Sequence, residues 1–269
     1  MDLRPIGVVH CAVKDRRQMP PWGVSARVEL HEPFAAGLHR IEKHTHLWVL
    51  AWLDSPPPGH AGAEREVLQV TPRGVRETGE EGLHGVFAVR SPARPNPIGL
   101  TASRLLSVEG RMLSLERLDF LDGTPVIDLK PYFVTRDLIY SAAGRQIGAP
   151  ASREALRESL TAQAVAFHGR LAPSIALGVR IIEHFRFTHF SLNDPPAWRV
   201  EAPLADPILL DALLGITRTS PGRGDLLLHA EPCIRLNLAA EYLPAAAMPA
   251  AAHEILEAPD QALFHYRAL

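Results

Sequence analysis

Apolar and polar residues alternate along most of the first half of the chain. The stretches 6–13, 26–31, 47–53, 85–90, 98–108, 111–118 and 126–129 each read as a short strand whose side chains point to two faces in turn. Turn signals separate them. Val108-Glu109-Gly110-Arg111 suits a hairpin, and Ser55-Pro56-Pro57-Pro58-Gly59 ends a strand and opens a loop reaching to about Glu81. Many short strands with few helices predict a mainly β domain over residues 1–140, built as a barrel or closed sheet. From Ser152 the period lengthens. Leu156, Leu160, Ala164 and Phe167 fall on one helical face with Ser152 as N-cap. Pro173 opens a second helix over 174–185, and Asp206-Pro207 a third that Gly215 can end. Residues 225–229 and 233–238 return to strand spacing, so a smaller α+β domain is predicted over 151–269. The small, polar stretch 141–150, with two glycines, is predicted to be the linker.

Composition narrows the function. Hydrophobic residues make up 46% of the 269. No apolar run approaches the roughly 20 residues of a membrane span, and nothing at the N-terminus marks secretion, so a cytoplasmic protein is expected. Cys11 and Cys233 lie far apart without motif spacing and read as free thiols. The formal charge is −2, with 18 basic against 17 acidic residues up to position 150 and 10 against 13 after it. Neither half is a basic domain. If RNA is bound, contact is confined to a local patch, completed by a second subunit. No Gly-x-Gly-x-x-Gly follows a strand, which gives no support to a Rossmann site.

Two clusters carry candidate chemistry. In Arg90-Ser91-Pro92-Ala93-Arg94-Pro95-Asn96-Pro97-Ile98-Gly99-Leu100, three prolines forbid an interior strand and stiffen a loop bearing two guanidinium groups, which suits a carboxylate or phosphate. In Leu118-Asp119-Phe120-Leu121-Asp122-Gly123-Thr124-Pro125, an Asp-Gly turn opens a strand on which Asp128 and Lys130, with Tyr132 beyond, share one face. His44-Thr45-His46 lacks a third ligand in spacing, so His46 reads as a hydrogen-bonded structural residue and no metal is expected.

Together, R-S-x-x-R-P-N-P-I-G and L-D-x-x-D-G-T-P-V-x-D-x-K-P-Y resemble the TsaA-like, or TrmO, family of S-adenosylmethionine-dependent methyltransferases, over residues 1–140. Pro5-Ile6-Gly7-Val8-Val9, Arg17-Gln18 and His46-Leu47-Trp48-Val49-Leu50 add to it. The resemblance implies a single-sheet β-barrel and a homodimer with the donor, S-adenosylmethionine, near the interface. Donor contacts are implied for Gln18, Met19, Pro20, Arg90, Ser91, Arg94, Leu100, Leu118, Asp119, Asp122, Gly123 and Thr124, and substrate contacts for Asn96, Asp128, Lys130 and Tyr132. Either Arg90 or Arg94 can take the donor's carboxylate, and Asp119 or Asp122 its ammonium or ribose diol. The alternative is that Arg90 pairs with Asp119 or Asp122 across the barrel rim. Gln18 is equally an ordinary loop residue. Asp128 and Tyr132 are both candidates to accept the proton shed by a methylated nitrogen.

The second half resembles an FmdE-type domain through Phe167-His168-Gly169, Ala176-Leu177-Gly178 and Gly222-Arg223-Gly224-Asp225-Leu226. Where that pattern carries metal ligands this chain has Arg170, Ala172, Pro203 and Ile216, leaving His168 alone, so a metal-free domain is expected. The resemblance implies N6-methylation of threonylcarbamoyladenosine beside the tRNA anticodon; the alternatives are methylation of a small molecule or another RNA, and binding of the donor by a regulatory module without turnover.

Overall fold

The computed structural model describes residues 2–53, 65–142 and 144–269. They form two compact units. One comprises the described residues up to Arg73 together with Glu77–Ile139; the other takes Gly74–Arg76 and Tyr140–Leu269. Ser55 to Gly59, expected to terminate a strand, lies outside the described residues.

The first unit is a closed antiparallel barrel. Its strands are β1 (Gly7–Cys11), β2 (Val24–Leu30), β3 (His46–Trp52), β6 (Ile98–Glu109), β7 (Met112–Leu118) and β8 (Pro125–Pro131), in the order β1-β2-β7-β6-β3-β8, with β1 also pairing β8. Closure leaves no edge unpaired. The alternation seen in the sequence becomes inside and outside: Val9, Val28, Leu47, Val49, Leu113, Leu115, Leu118 and Val126 are fully buried in the barrel interior. Breaks of register between Val24 and Ala26, Leu50 and Ala51, and Leu105 and Ser107 supply the bends that a small barrel requires.

The expected strand over 85–90 does not form. Only His84–Gly85 (β5) pairs, with Gln69–Val70 (β4), and the chain then turns. The Arg94 guanidinium collects the carbonyls of Val86, Val89 and Ser91, so they are not offered to a ladder.

The first unit ends with the single turn α1 (Val134–Asp137), and in the second unit α2 (Arg153–His168), α3 (Pro173–Phe190) and α4 (Pro207–Thr217) pack on a five-stranded sheet. The sheet runs in the order β10 (Leu226–His229), β9 (Val200–Pro203), β11 (Ile234–Leu236), β12 (Ala240–Pro244) and β13 (Phe264–Ala268). Ser152 caps α2 by accepting from Ala155 N at 3.1 Å, and Asp206 caps α4 by accepting from Leu209 N at 2.9 Å. Gly215 does not end α4. Helix geometry persists to Thr217 and stops at Arg218, in the left-handed region at φ 61°. A Cβ on Gly215 would stand 2.6 Å from Phe167 Cβ, so the glycine permits close packing of α2 on α4. α3 likewise runs past the expected 185, because Phe190 packs against the core, its ring 5.5 Å from Phe185 and tilted by 52°, and extends the buried face. In the stretch expected as a linker, Gln146 Oε1 accepts from Arg186 at 3.1 Å and from Asp194 N at 2.6 Å.

Candidate functional site at one barrel rim

β1, β3 and β7 end, and β2, β6 and β8 begin, at the same rim of the barrel. Local chemistry draws the loops there together. After β1, Asp15 caps a single turn of 3-10 helix (Arg16–Gln18) by accepting from Arg17 N at 2.9 Å. Arg73 reaches the same loop, donating to Met19 O at 3.3 Å and Arg16 O at 3.4 Å. The loop closes onto β2 at Gly23. With φ at 76°, a Cβ there would stand 2.4 Å from Leu118 O, so only glycine lets the chain at position 23 lie against Leu118 and Asp119.

The loop after β7 is pinned to the end of β1. Asp122 accepts from Cys11 N at 3.1 Å, its own N–H donates to Val13 O at 2.9 Å, and Lys14 stands 3.9 Å from its other oxygen. Gly123 turns at φ 79° and donates to Val9 O at 2.8 Å, and Thr124 N donates to Leu121 O at 3.1 Å. Phe120 fills the barrel mouth over Gly99, where a Cβ would be 2.5 Å from its ring. Asp119 is exposed and accepts from Thr101 Oγ1.

The proline-rich loop completes the rim. Leu53 N donates to Pro97 O at 2.7 Å, and Asn96 contributes its carbonyl to Ile98 N at 2.7 Å. Ser91 Oγ accepts from Ala93 N at 3.2 Å. The two arginines divide their work. Arg94 is turned inward and consumed by three carbonyls, so it shapes the loop instead of facing a ligand. Arg90 is exposed and makes no hydrogen bond or ion pair among the described residues. The alternative pairing of Arg90 with Asp119 or Asp122 does not occur: Asp119 has Thr101, and Asp122 has Cys11 N and Lys14.

Other residues singled out in the sequence lie elsewhere. The side chain of Leu118 is in the barrel core, so it offers the rim only its backbone. Leu100 faces outward on β6, opposite Leu50. Asp128 and Lys130 pair at 2.7 Å on the outer face of β8. Tyr132 N donates to His46 O at 3.0 Å, which places Tyr132 at the far rim. At strand rise it is about 26 Å along the chain from Thr124, so within one chain Tyr132 cannot take a proton at the loops just described. Sequence reading also missed Thr101 and Arg73, whose partners lie 18 and 54 residues away. In the second unit His168 Nδ1 lies 2.8 Å from an Asp211 oxygen, Ala172 precedes α3, Pro203 ends β9 and Ile216 lies within α4. Among the described residues no three His, Cys, Asp or Glu side chains converge as a metal site, and no helix is long and apolar enough to cross a membrane.

Residues 8–138 match the model of the tRNA-methyltransferase O N-terminal domain. A probable S-adenosyl-L-methionine-binding protein of Archaeoglobus fulgidus is 40% identical over 187 residues, 67% of this chain and 47% of that protein. A second from the same organism, an S-adenosyl-L-methionine-binding protein, is 41% identical over 150 residues, 54% of this chain and 99% of that protein. A tRNA (adenine(37)-N6)-methyltransferase of Mus musculus is 38% identical over 97 residues, 36% of this chain and 20% of that protein. The chain thus spans about half of the first relative and nearly all of the second. A match running from within β1 to the end of the barrel unit, with a relative aligned over almost its whole length, establishes that the chain belongs to the tRNA-methyltransferase O N-terminal domain family.

Proposed function

We propose that the rim loops bind S-adenosylmethionine and that the protein transfers its methyl group to N6 of the threonylcarbamoyl-modified adenosine beside a tRNA anticodon. The observation that carries the donor site is the guanidinium of Arg90, without a partner among the described residues, on a loop braced by Arg94. A guanidinium presented from a braced loop matches a carboxylate bidentately. Asp119, exposed and bound only by Thr101 among the described residues, retains lone pairs for an ammonium or a ribose diol. Bound there, the sulfonium supplies an electrophilic methyl group. The protein's own part is to hold the donor and align the acceptor, which is where proximity lowers a displacement barrier.

The acceptor rests on the family and on the mouse relative's name. A formal charge of −2 restricts RNA contact to a local patch. The outer barrel face shows Ile98 and Leu100 about 37% and 39% exposed, which supports a homodimer across it. A cytoplasmic location accords with a tRNA acceptor.

Mass spectrometry of nucleosides after incubating the purified chain with S-adenosylmethionine and threonylcarbamoylated tRNA tests the activity. The methylated nucleoside is the expected product; donor binding without any tRNA product would sink the acceptor assignment. For the donor site, Arg90→Ala should weaken S-adenosylmethionine binding by about 1.5–3 kcal/mol, the range for a hydrogen bond to a charged group. Titration calorimetry decides, and unchanged affinity in a folded variant removes Arg90 from the site.

A further inference from the structure

The rim opposite these loops carries a row of rings. His46 and Trp48 point outward from successive outer positions of β3. The Tyr132 ring lies 5.5 Å from Trp48 and 6.4 Å from His46. Phe133 follows, with His44 edge-on at 5.6 Å and the Arg136 guanidinium 5.7 Å from its centroid. Phe133 is 42% exposed, and Trp48 and Tyr132 are half-buried, so ring faces remain open to solvent. Burial, then the nearby Arg104 charge, holds the His46 imidazole below its ordinary value against the opposing pull of Glu116. At neutral pH it is therefore a flat, uncharged ring.

Charge around the row is unevenly committed. Arg104, opposite His46 in the β3–β6 register, makes no ion pair among the described residues, and neither does Arg136. The neighbouring acids are occupied: Glu116 by Arg117, Asp128 by Lys130, and Asp137 by the Phe133 N–H. Solvent-exposed rings beside guanidinium groups that make no ion pair among the described residues match unstacked bases joined by phosphates.

We propose that this platform stacks unpaired nucleotides of the RNA substrate. The assignment rests on the tRNA reading above and adds where the RNA lies. About 26 Å of strand separates Tyr132 from Thr124, so an RNA large enough to span both rims is needed to use both sites. Contact confined to one exposed row also accounts for an RNA-binding chain whose overall charge is −2.

The test is fluorescence-anisotropy binding of an anticodon stem-loop RNA to the full chain and to Phe133→Ala, Trp48→Ala and Trp48→Phe, with S-adenosylmethionine affinity measured in each as the check on folding. Each alanine variant should raise the RNA dissociation constant by on the order of tenfold to a hundredfold, the range for loss of one stacked base. Trp48→Phe should stay near wild type, and donor affinity should not move. Tight RNA binding by wild type that is unchanged in both alanine variants overturns the platform and leaves the tRNA reading standing. No RNA binding by wild type overturns both. Loss of self-association in Phe133→Ala, with RNA affinity intact, assigns the rings to a protein contact and overturns the proposal.

Discussion

Arg94→Ala is expected to lower S-adenosylmethionine affinity by at least about a hundredfold, or ~2.7 kcal/mol, although Arg94 itself faces away from any ligand. Its guanidinium donates to Val86 O at 2.6 Å, to Ser91 O at 2.7 Å and to Val89 O, and these bonds hold the segment that presents Arg90. Hydrogen bonds to a charged group contribute about 1.5–3 kcal/mol each, and they do not add when they act on one loop. Their loss lets the segment sample many conformations, so the donor must then order it on binding. Lysine does not rescue, because an ammonium on a flexible stem cannot fork to carbonyls on two sides of a turn. The barrel should stay folded, since its core is built from strand residues that Arg94 does not touch. Calorimetry on Arg94→Ala and Arg94→Lys reads the effect. Wild-type affinity in Arg94→Ala would mean that this loop is not part of the donor site.

The second large effect belongs to Glu183, on α3. Its carboxylate has 0% exposure and receives Arg153 Nε at 2.7 Å and Arg157 Nε at 2.8 Å, with Arg180 Nε 3.0 Å away. Glu183→Gln keeps the shape and removes the one fully buried negative charge shared by the three guanidinium groups. Breaking a buried pair in this way costs about 3–5 kcal/mol, and urea unfolding followed by far-UV circular dichroism should show it, because α2, α3 and α4 all lie in this unit. A loss under 1 kcal/mol would mean that the arginines find water or other partners.

Acid should weaken the same network through Asp260. Burial alone would raise its carboxyl, but the charges and hydrogen bonds of Arg153 and Arg180 outweigh burial and hold it below its ordinary value. A carboxyl lowered by folding contributes stability that is fully present above its unfolded value of about 3.9 and is lost as pH falls through the folded value. Stability of the second unit should therefore be insensitive to pH through Asp260 near neutrality and decline below about pH 4. Asp260→Asn should flatten that acid limb.

What the sequence by itself determined is the part of the fold in which local pattern and burial coincide. In β1, β2, β3, β6, β7 and β8 a period of two separates a wet face from a packed one, so alternation located each strand and their number implied closure. Ser152 and Asp206 announced α2 and α4 because a cap bonds within three residues of itself. The strands β9, β12 and β13 span only four or five residues and took their identity from partners elsewhere in the sheet. Residues 85–90 had strand composition, yet the Arg94 side chain captured their carbonyls first. The candidate site divides in the same way. Its loops were visible through proline, Asp-Gly and paired arginines, all signals carried within a few residues. Which arginine faces outward, that Asp122 ties β1 to its loop while Asp119 stays exposed, and that Tyr132 stands at the opposite rim were decided only by tertiary structure. Those outcomes depend on contacts such as Asp122 with Cys11, 111 residues apart, and Asp119 with Thr101, 18 apart. Local periodicity carries no information about which distant group a side chain will meet.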